Sequence, residues 1–157
     1  MPSSDRPLAP VRLDVVINAP VETVFEAFSQ WSEQGRWMVG TRVEVRSGDG
    51  ACVGSELAAW TGAGRAGFWD TMVITRWEPP YRVDVVHTGS VVKGTGTMEV
   101  IALPGRRSRF VWAEELDLPL GVLGRIGWPV ARPVFLAGVK RSLESFGRLV
   151  EQGVLPR

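Results

Sequence analysis

The sequence predicts an α+β protein: a strongly curved, seven-stranded antiparallel sheet wrapped around a long C-terminal helix, with two short helices between strands 1 and 2. Three observations predict it. Six consecutive segments between residues 41 and 116 alternate polar and apolar residues. Short Gly-, Pro- or Arg-rich turns join them at hairpin spacing, which argues for a meander and against a βαβ array. The chain then closes on a segment with helical periodicity, and its start pairs one alternating segment with an amphipathic helical stripe.

Residues 1–10 hold three prolines and little apolar pattern, so a loose arm is expected there, followed by one domain over 11–153. "VRLDVVI" (11–17) puts Val11, Leu13, Val15 and Ile17 on one face of a strand. In "NAPVETVFEAFSQ" (18–30), Asn18 suits an N-cap, Pro20 a first helical turn and Glu22 the helix dipole. Val21, Val24, Phe25 and Phe28 make its buried stripe. "WSEQGRW" (31–37) reads as a second short helical turn, broken at Gly35. The six strand candidates are 41–47, 54–60, 68–77, 82–88, 91–102 and 109–116. Residues 119–133 are apolar but punctuated by Gly and Pro, as expected of an irregular helix or a mobile flap. The last helix is expected to start at Pro133 and end at Gly153, burying Leu136, Val139, Leu143, Phe146 and Val150. A seven-stranded sheet has two faces, and the helices must cover one of them.

Composition narrows the function classes. The 157 residues suit a single domain that buries roughly 68–70% of its unfolded surface. Eighteen basic and 17 acidic side chains nearly cancel, so no broad field attracts nucleic acid. The one cysteine, Cys52, cannot make an internal disulfide and has no ligand neighbours, so no metal is expected. No signal pattern or membrane-length apolar run is present, and a cytoplasmic protein without stable membrane insertion is expected. Seven Trp stand against one Tyr, a choice that suits cores and apolar pockets.

The order of elements and several local motifs resemble one family. "INAPVETVFEAFSQW", "RW" at 36–37, "WEPPYRV", "HTGSVVKGTGTMEV", "RFVWAEEL" and "RSLESFGRLVE" occur in sequence over residues 11–152. The chain thereby resembles polyketide cyclase/dehydrase-like members of the START-related, helix-grip superfamily (SRPBCC). The resemblance implies a deep cavity between sheet and C-terminal helix that holds a hydrophobic ligand. It implies no single catalytic signature, because members range from lipid carriers to aromatase/cyclases, and it leaves the chemistry open.

Alternation assigns the cavity wall. Phe110, Trp112, Glu114 and Leu116 share a face that two aromatics and a Leu turn inward. Val83, Val85 and His87 oppose a more polar set, so His87 points inward; Phe68, Asp70, Met72 and Ile74 form the corresponding set one strand earlier. Asp70, His87 and Glu114 are thus expected as a polar patch in an apolar wall, in one of three roles: a structural pair, a ligand-orienting group or a proton-transfer site. On the strand 91–102 the inward set includes Gly94, Gly96 and Met98, the glycines marking either room for a ligand or a sharp bend. The expected ligand-contacting residues are Trp37, Phe68, Met72, Val85, Gly94, Gly96, Met98, Phe110, Trp112, Trp128, Leu136 and Leu143. Trp37 is placed at the mouth and Trp128 as a gate or a loop anchor. Trp31, Trp60, Trp69 and Trp77 are expected more as packing than as ligand platforms. No "GxSxG" elbow supports Ser-His-Asp chemistry, and "GAGRAG" (62–67) does not lead from a strand into a helix as a phosphate loop must.

The functional expectation is binding or transport of a small hydrophobic molecule, such as a lipid, polyketide or aromatic metabolite. The alternative is a cofactor-independent cyclase or dehydratase using His87 with Asp70 or Glu114 as acid and base. The expected partner is the small molecule, with a homodimer as a further state, and no cofactor is called for.

Overall fold

The computed structural model describes residues 10–117 and 121–156. Most of the expected N-terminal arm, and the start of the 119–133 segment, lie outside the described residues. Seven strands form one antiparallel sheet: β1 (Val11–Ile17), β2 (Thr41–Ser47), β3 (Glu56–Ala63), β4 (Ala66–Glu78), β5 (Arg82–His87), β6 (Lys93–Leu103) and β7 (Arg107–Asp117). Their spatial order is β1-β7-β6-β5-β4-β3-β2. Strands β2 to β7 are a meander, and β1 returns to pair with β7 along Val11↔Glu114 to Ile17↔Ser108. Between β1 and β2 the chain makes α1 (Val21–Ser29) and a 3₁₀ turn (Trp31–Arg36), which together carry it from one edge of the sheet to the other.

The N-cap of α1 is Pro20, in extended conformation and without a side-chain cap, rather than Asn18. Proline's fixed φ sets the helix entry, and the Asn18 backbone N–H donates to Glu151 Oε1 at 2.8 Å. The second helical turn runs through Gly35 instead of breaking there. Phe28 stacks on Phe110, and Phe110 and Trp37 both pack on Phe146 at centroid distances of 4.9 and 4.7 Å. This aromatic cluster joins α1, the sheet and the last helix at one end of the interior. Ser108, wholly buried on β7, donates to the Ala19 carbonyl at 2.7 Å and ties the β1–α1 corner to the sheet.

The last helix, α2 (Gly121–Glu151), corrects the expectation of a start at Pro133: it runs through both Pro129 and Pro133. Each proline removes one backbone donor, which ordinarily interrupts a helix. Here both prolines lie on the exposed side, where water can reach the carbonyls they leave unpaired.

Trp60 and Trp69 face each other across β3 and β4 on the outer side of the sheet. The Arg42 guanidinium lies 5.3 Å from the Trp60 ring and that of Arg46 4.6 Å from Trp69. These indoles therefore cover the outer face as cation–π partners, while Trp77 packs edge-on against Phe25.

Candidate functional site

A cavity of about 290 Å³ lies between the inner face of the sheet and α2. Its walls are almost wholly apolar. Phe68, Met72, Met98, Trp112 and Leu116 line it from the sheet, Trp31, Trp37 and Met38 from the 3₁₀ region, and Phe135, Val139 and Leu143 from α2. Val39 and Val134 line it too, and are 57% and 76% exposed, so they mark its mouth.

In that wall sit Asp70, His87 and Glu114. His87 Nδ1 is 2.9 Å from Asp70 Oδ1, and Nε2 is 3.0 Å from Glu114 Oε2. Register explains the first contact: His87 stands opposite Met72, two residues along the same face from Asp70. The second contact spans two strands. His87 (β5) pairs with Gly94 on β6, and Glu114 (β7) pairs with Gly96 on the same strand. Adjacent strands lie about 4.8 Å apart, so side chains two strands away normally meet only over the residue between them. Gly94 and Gly96 offer no side chain there. A Cβ on Gly96 would lie 3.3 Å from Glu114 Oε1, and one on Gly94 would collide with the Glu115 carbonyl oxygen, at a φ of +116°. The space beside Gly96 is taken by the side chains of Glu114 and Val85, whereas Gly94 has the Glu115 backbone against it and carries a backbone conformation that L-residues rarely adopt.

Both ring nitrogens of His87 therefore face carboxylates, and as an imidazolium it donates one hydrogen bond to each. Burial works against the charged ring, but the bonds to Asp70 and then Glu114, with their charges, outweigh it and lift the imidazole pKa from 6.5 to about 10. Burial also raises the Glu114 carboxyl above its ordinary value, and its bond to His87 offsets only part of that rise. His87 is 3% exposed at the side chain and the two carboxylates 13% and 12%. The trio is a proton-sharing cluster whose ring is spent on its partners and whose remaining carboxylate oxygens are acceptors or acids. Because the carboxylates bond to the ring rather than converge on a point, the cluster does not form a metal site, and no such site occurs among the described residues.

Further polar features border the cavity. Trp37 is 2% exposed, and its indole N–H has no acceptor among the described residues. The hydroxyls of Thr41 and Thr61 lie 3.3 Å apart. Ser142, also on the wall, is committed: it accepts from the Val39 amide and donates to the Gly138 carbonyl.

Of the residues expected to contact a ligand, Trp37, Phe68, Met72, Met98, Trp112 and Leu143 line the cavity with the Asp70–His87–Glu114 trio. Val85, Gly94, Gly96, Phe110, Trp128 and Leu136 do not. Val85 lies buried beside Gly96, and Phe110 belongs to the aromatic cluster. Trp128 sits behind Phe135, 5.5 Å between centroids, and Phe135 in turn faces Trp112 at 6.1 Å. Leu136 packs on the core next to the cavity-facing row. That row is Phe135, Gly138, Val139, Ser142 and Leu143. Sequence reasoning missed all of it as ligand-contacting except Leu143, because hydrophobic patterning weights the largest apolar residues of α2. The pair of small residues one turn apart, Gly138 and Ser142, was the available signal.

An antiparallel sheet gripping a C-terminal helix, with a ligand-sized apolar hollow between them, defines a helix-grip protein. The sequence comparison is more specific: a family model described as "Polyketide cyclase / dehydrase and lipid transport" matches residues 9–151, and the chain belongs to that family. The fold is similar to that of TTHA0849 from Thermus thermophilus, with a TM-score of 0.78 at 16% identity, covering 92% of this chain and 99% of that one. It is similar to the ZhuI aromatase/cyclase from Streptomyces sp. R1128, with a TM-score of 0.75 at 15% identity over 94% and 96% of the two chains. A norcoclaurine synthase mutant from Thalictrum flavum shares the fold at a TM-score of 0.66 and 13% identity, over 93% and 96%. No curated protein matches the sequence.

Proposed function

We propose that the protein binds one compact, largely apolar molecule in the cavity and orients it through a hydroxyl or phenol on the Asp70–His87–Glu114 cluster. The observation that carries this reading is the cluster itself, set in an apolar hollow of ligand size. A volume of about 290 Å³ is at the lower end of ligand pockets, which run from about 300 to 1,000 Å³. It suits a fused-ring or single-chain molecule better than a two-chain lipid. With His87 already bonded twice, the groups left to meet a ligand are carboxylate oxygens, which favour a ligand donor. The unpaired Trp37 N–H complements them with a donor for a ligand carbonyl or ether, since a buried donor without a partner is costly.

The experiment is titration with a fluorescent naphthol, following quenching of Trp emission. Saturable uptake at one site is expected, with weaker uptake of naphthalene-type probes lacking the hydroxyl. Uptake indifferent to the hydroxyl would remove the orienting role, and no uptake would remove the reading.

A second reading rests on the raised Glu114 carboxyl and the family's cyclases. In it, Glu114 exchanges a proton with an extended carbonyl substrate while His87, held by Asp70, balances the charge. Glu114→Gln would then abolish turnover of such a substrate and leave uptake of a naphthalene-type probe without the hydroxyl intact.

A further inference from the structure

We propose that the N-terminal half of α2 docks the protein peripherally on an anionic lipid surface, with the mouth of the cavity turned toward it. Ile126, Val130 and Val134 are 67%, 79% and 76% exposed. They follow one another at intervals of four along α2 and so form one stripe on its outer side. Scattered apolar side chains are ordinary on a protein surface, whereas an aligned row of large exposed ones marks an interaction site. The stripe runs into the mouth, because Val134 also lines the cavity, as does Val39, which is itself exposed.

Charge identifies the partner. On the same outer side, the next turns of α2 carry Lys140, Arg141, Glu144 and Arg148, which with Ala137 line a shallow groove. Lys140 is 4.0 Å from Glu144. Arg141 and Arg148 have no ion-pair partner among the described residues. The whole chain carries a formal charge of only +1, so this excess is local. A lipid surface suits this combination: the exposed stripe offers apolar area to bury, and the adjoining cations offer attraction to anionic headgroups. The apolar part is a convex helix face, which a fluid bilayer accommodates without a matching shape. No helix among the described residues is long and apolar enough to cross a membrane, so the contact is peripheral. An apolar cargo partitions into bilayers. A mouth held against the lipid lets such cargo pass between membrane and cavity without crossing water.

The test is co-sedimentation of the full chain with vesicles of phosphatidylcholine, alone or mixed with phosphatidylglycerol. Binding to the mixed vesicles, release by salt and little binding to the neutral ones are expected. Ile126→Ser/Val130→Ser should abolish the binding, and Lys140→Glu/Arg141→Glu should weaken it at least about tenfold. None of these four residues lines the cavity, so both variants should keep naphthol uptake and a native circular dichroism spectrum. That separates loss of docking from loss of the ligand site. Wild-type protein that stays in solution with the anionic vesicles overturns the proposal, as does undiminished binding by the serine variant. Stripe-dependent dimerisation without vesicle binding would assign the surface to a second copy instead.

Discussion

His87→Phe is the most informative perturbation of the interior. It removes both N–H donors while keeping a ring in their place. Asp70 and Glu114 then stand in an apolar wall without the group that neutralises them. Deleting one partner of a buried ionic cluster costs about 3–5 kcal/mol. For a domain with a urea m-value of about 2 kcal/mol/M, the unfolding midpoint falls by roughly 2 M at pH 7. The pH dependence supplies the sharper signature. In the wild type the imidazole pKa is about 10 when folded, against 6.5 as its ordinary value. The native state therefore holds the extra proton between these values. Stability from the cluster is complete below about pH 6.5 and is lost as pH rises toward 10, by at most about 5 kcal/mol. In the variant this alkaline loss disappears, and stability instead recovers as pH falls and the carboxyls take up protons. Urea titrations followed by Trp emission at pH 5.5, 7 and 9 measure both effects. A variant as stable as the wild type at pH 7, or a wild type whose stability is flat from pH 6.5 to 10, would refute the reasoning.

Two other substitutions probe the geometry around the cluster. Gly94→Ala places a methyl group against the Glu115 carbonyl oxygen at a positive φ, so a loss above about 3 kcal/mol or failure to accumulate soluble protein is expected. Its thermal melt tests this, and a wild-type melt contradicts it. Trp37→Phe removes an indole N–H that has no acceptor among the described residues. Stability should fall by about 1–2 kcal/mol, from the smaller ring's lost packing against Phe146 and not from a lost hydrogen bond, while affinity for a carbonyl-bearing probe falls further than that for a plain hydrocarbon.

Much of the fold was legible because its signals are local. Period-two segments joined by short turns make a meander, and an inward His87 follows from the more polar set opposite it on 82–88. Alternation alone placed Asp70, His87 and Glu114 on the inner face. It could not show that His87 and Glu114 meet across β6, since that depends on three-strand register, and the inward Gly94 and Gly96 read equally as room for a ligand or as a bend. The start of α2 was hidden for a different reason: Pro129 and Pro133 are breakers in an average helix, and only their exposed positions make them tolerable. The cavity-facing row of α2 was obscured because Gly138 and Ser142 are small, and hydrophobic patterning weights large side chains. Trp60 and Trp69 were ambiguous because indole suits either face of a sheet, and the guanidinium groups that settle the matter come from another strand.

Gly138 gives the most direct test of the central idea, that ligand occupies the hollow between sheet and α2. It lines the cavity, and a Cβ there would meet nothing within 4 Å. Gly138→Phe should project a ring into empty space, with a melting temperature equal to or above that of the wild type, because glycine inside a helix costs about 1 kcal/mol. Naphthol titration of the two proteins side by side is the measurement. Saturable uptake by the wild type, lost in a variant that melts no lower, is the predicted result. Equal uptake by both would place the ligand elsewhere and contradict the account.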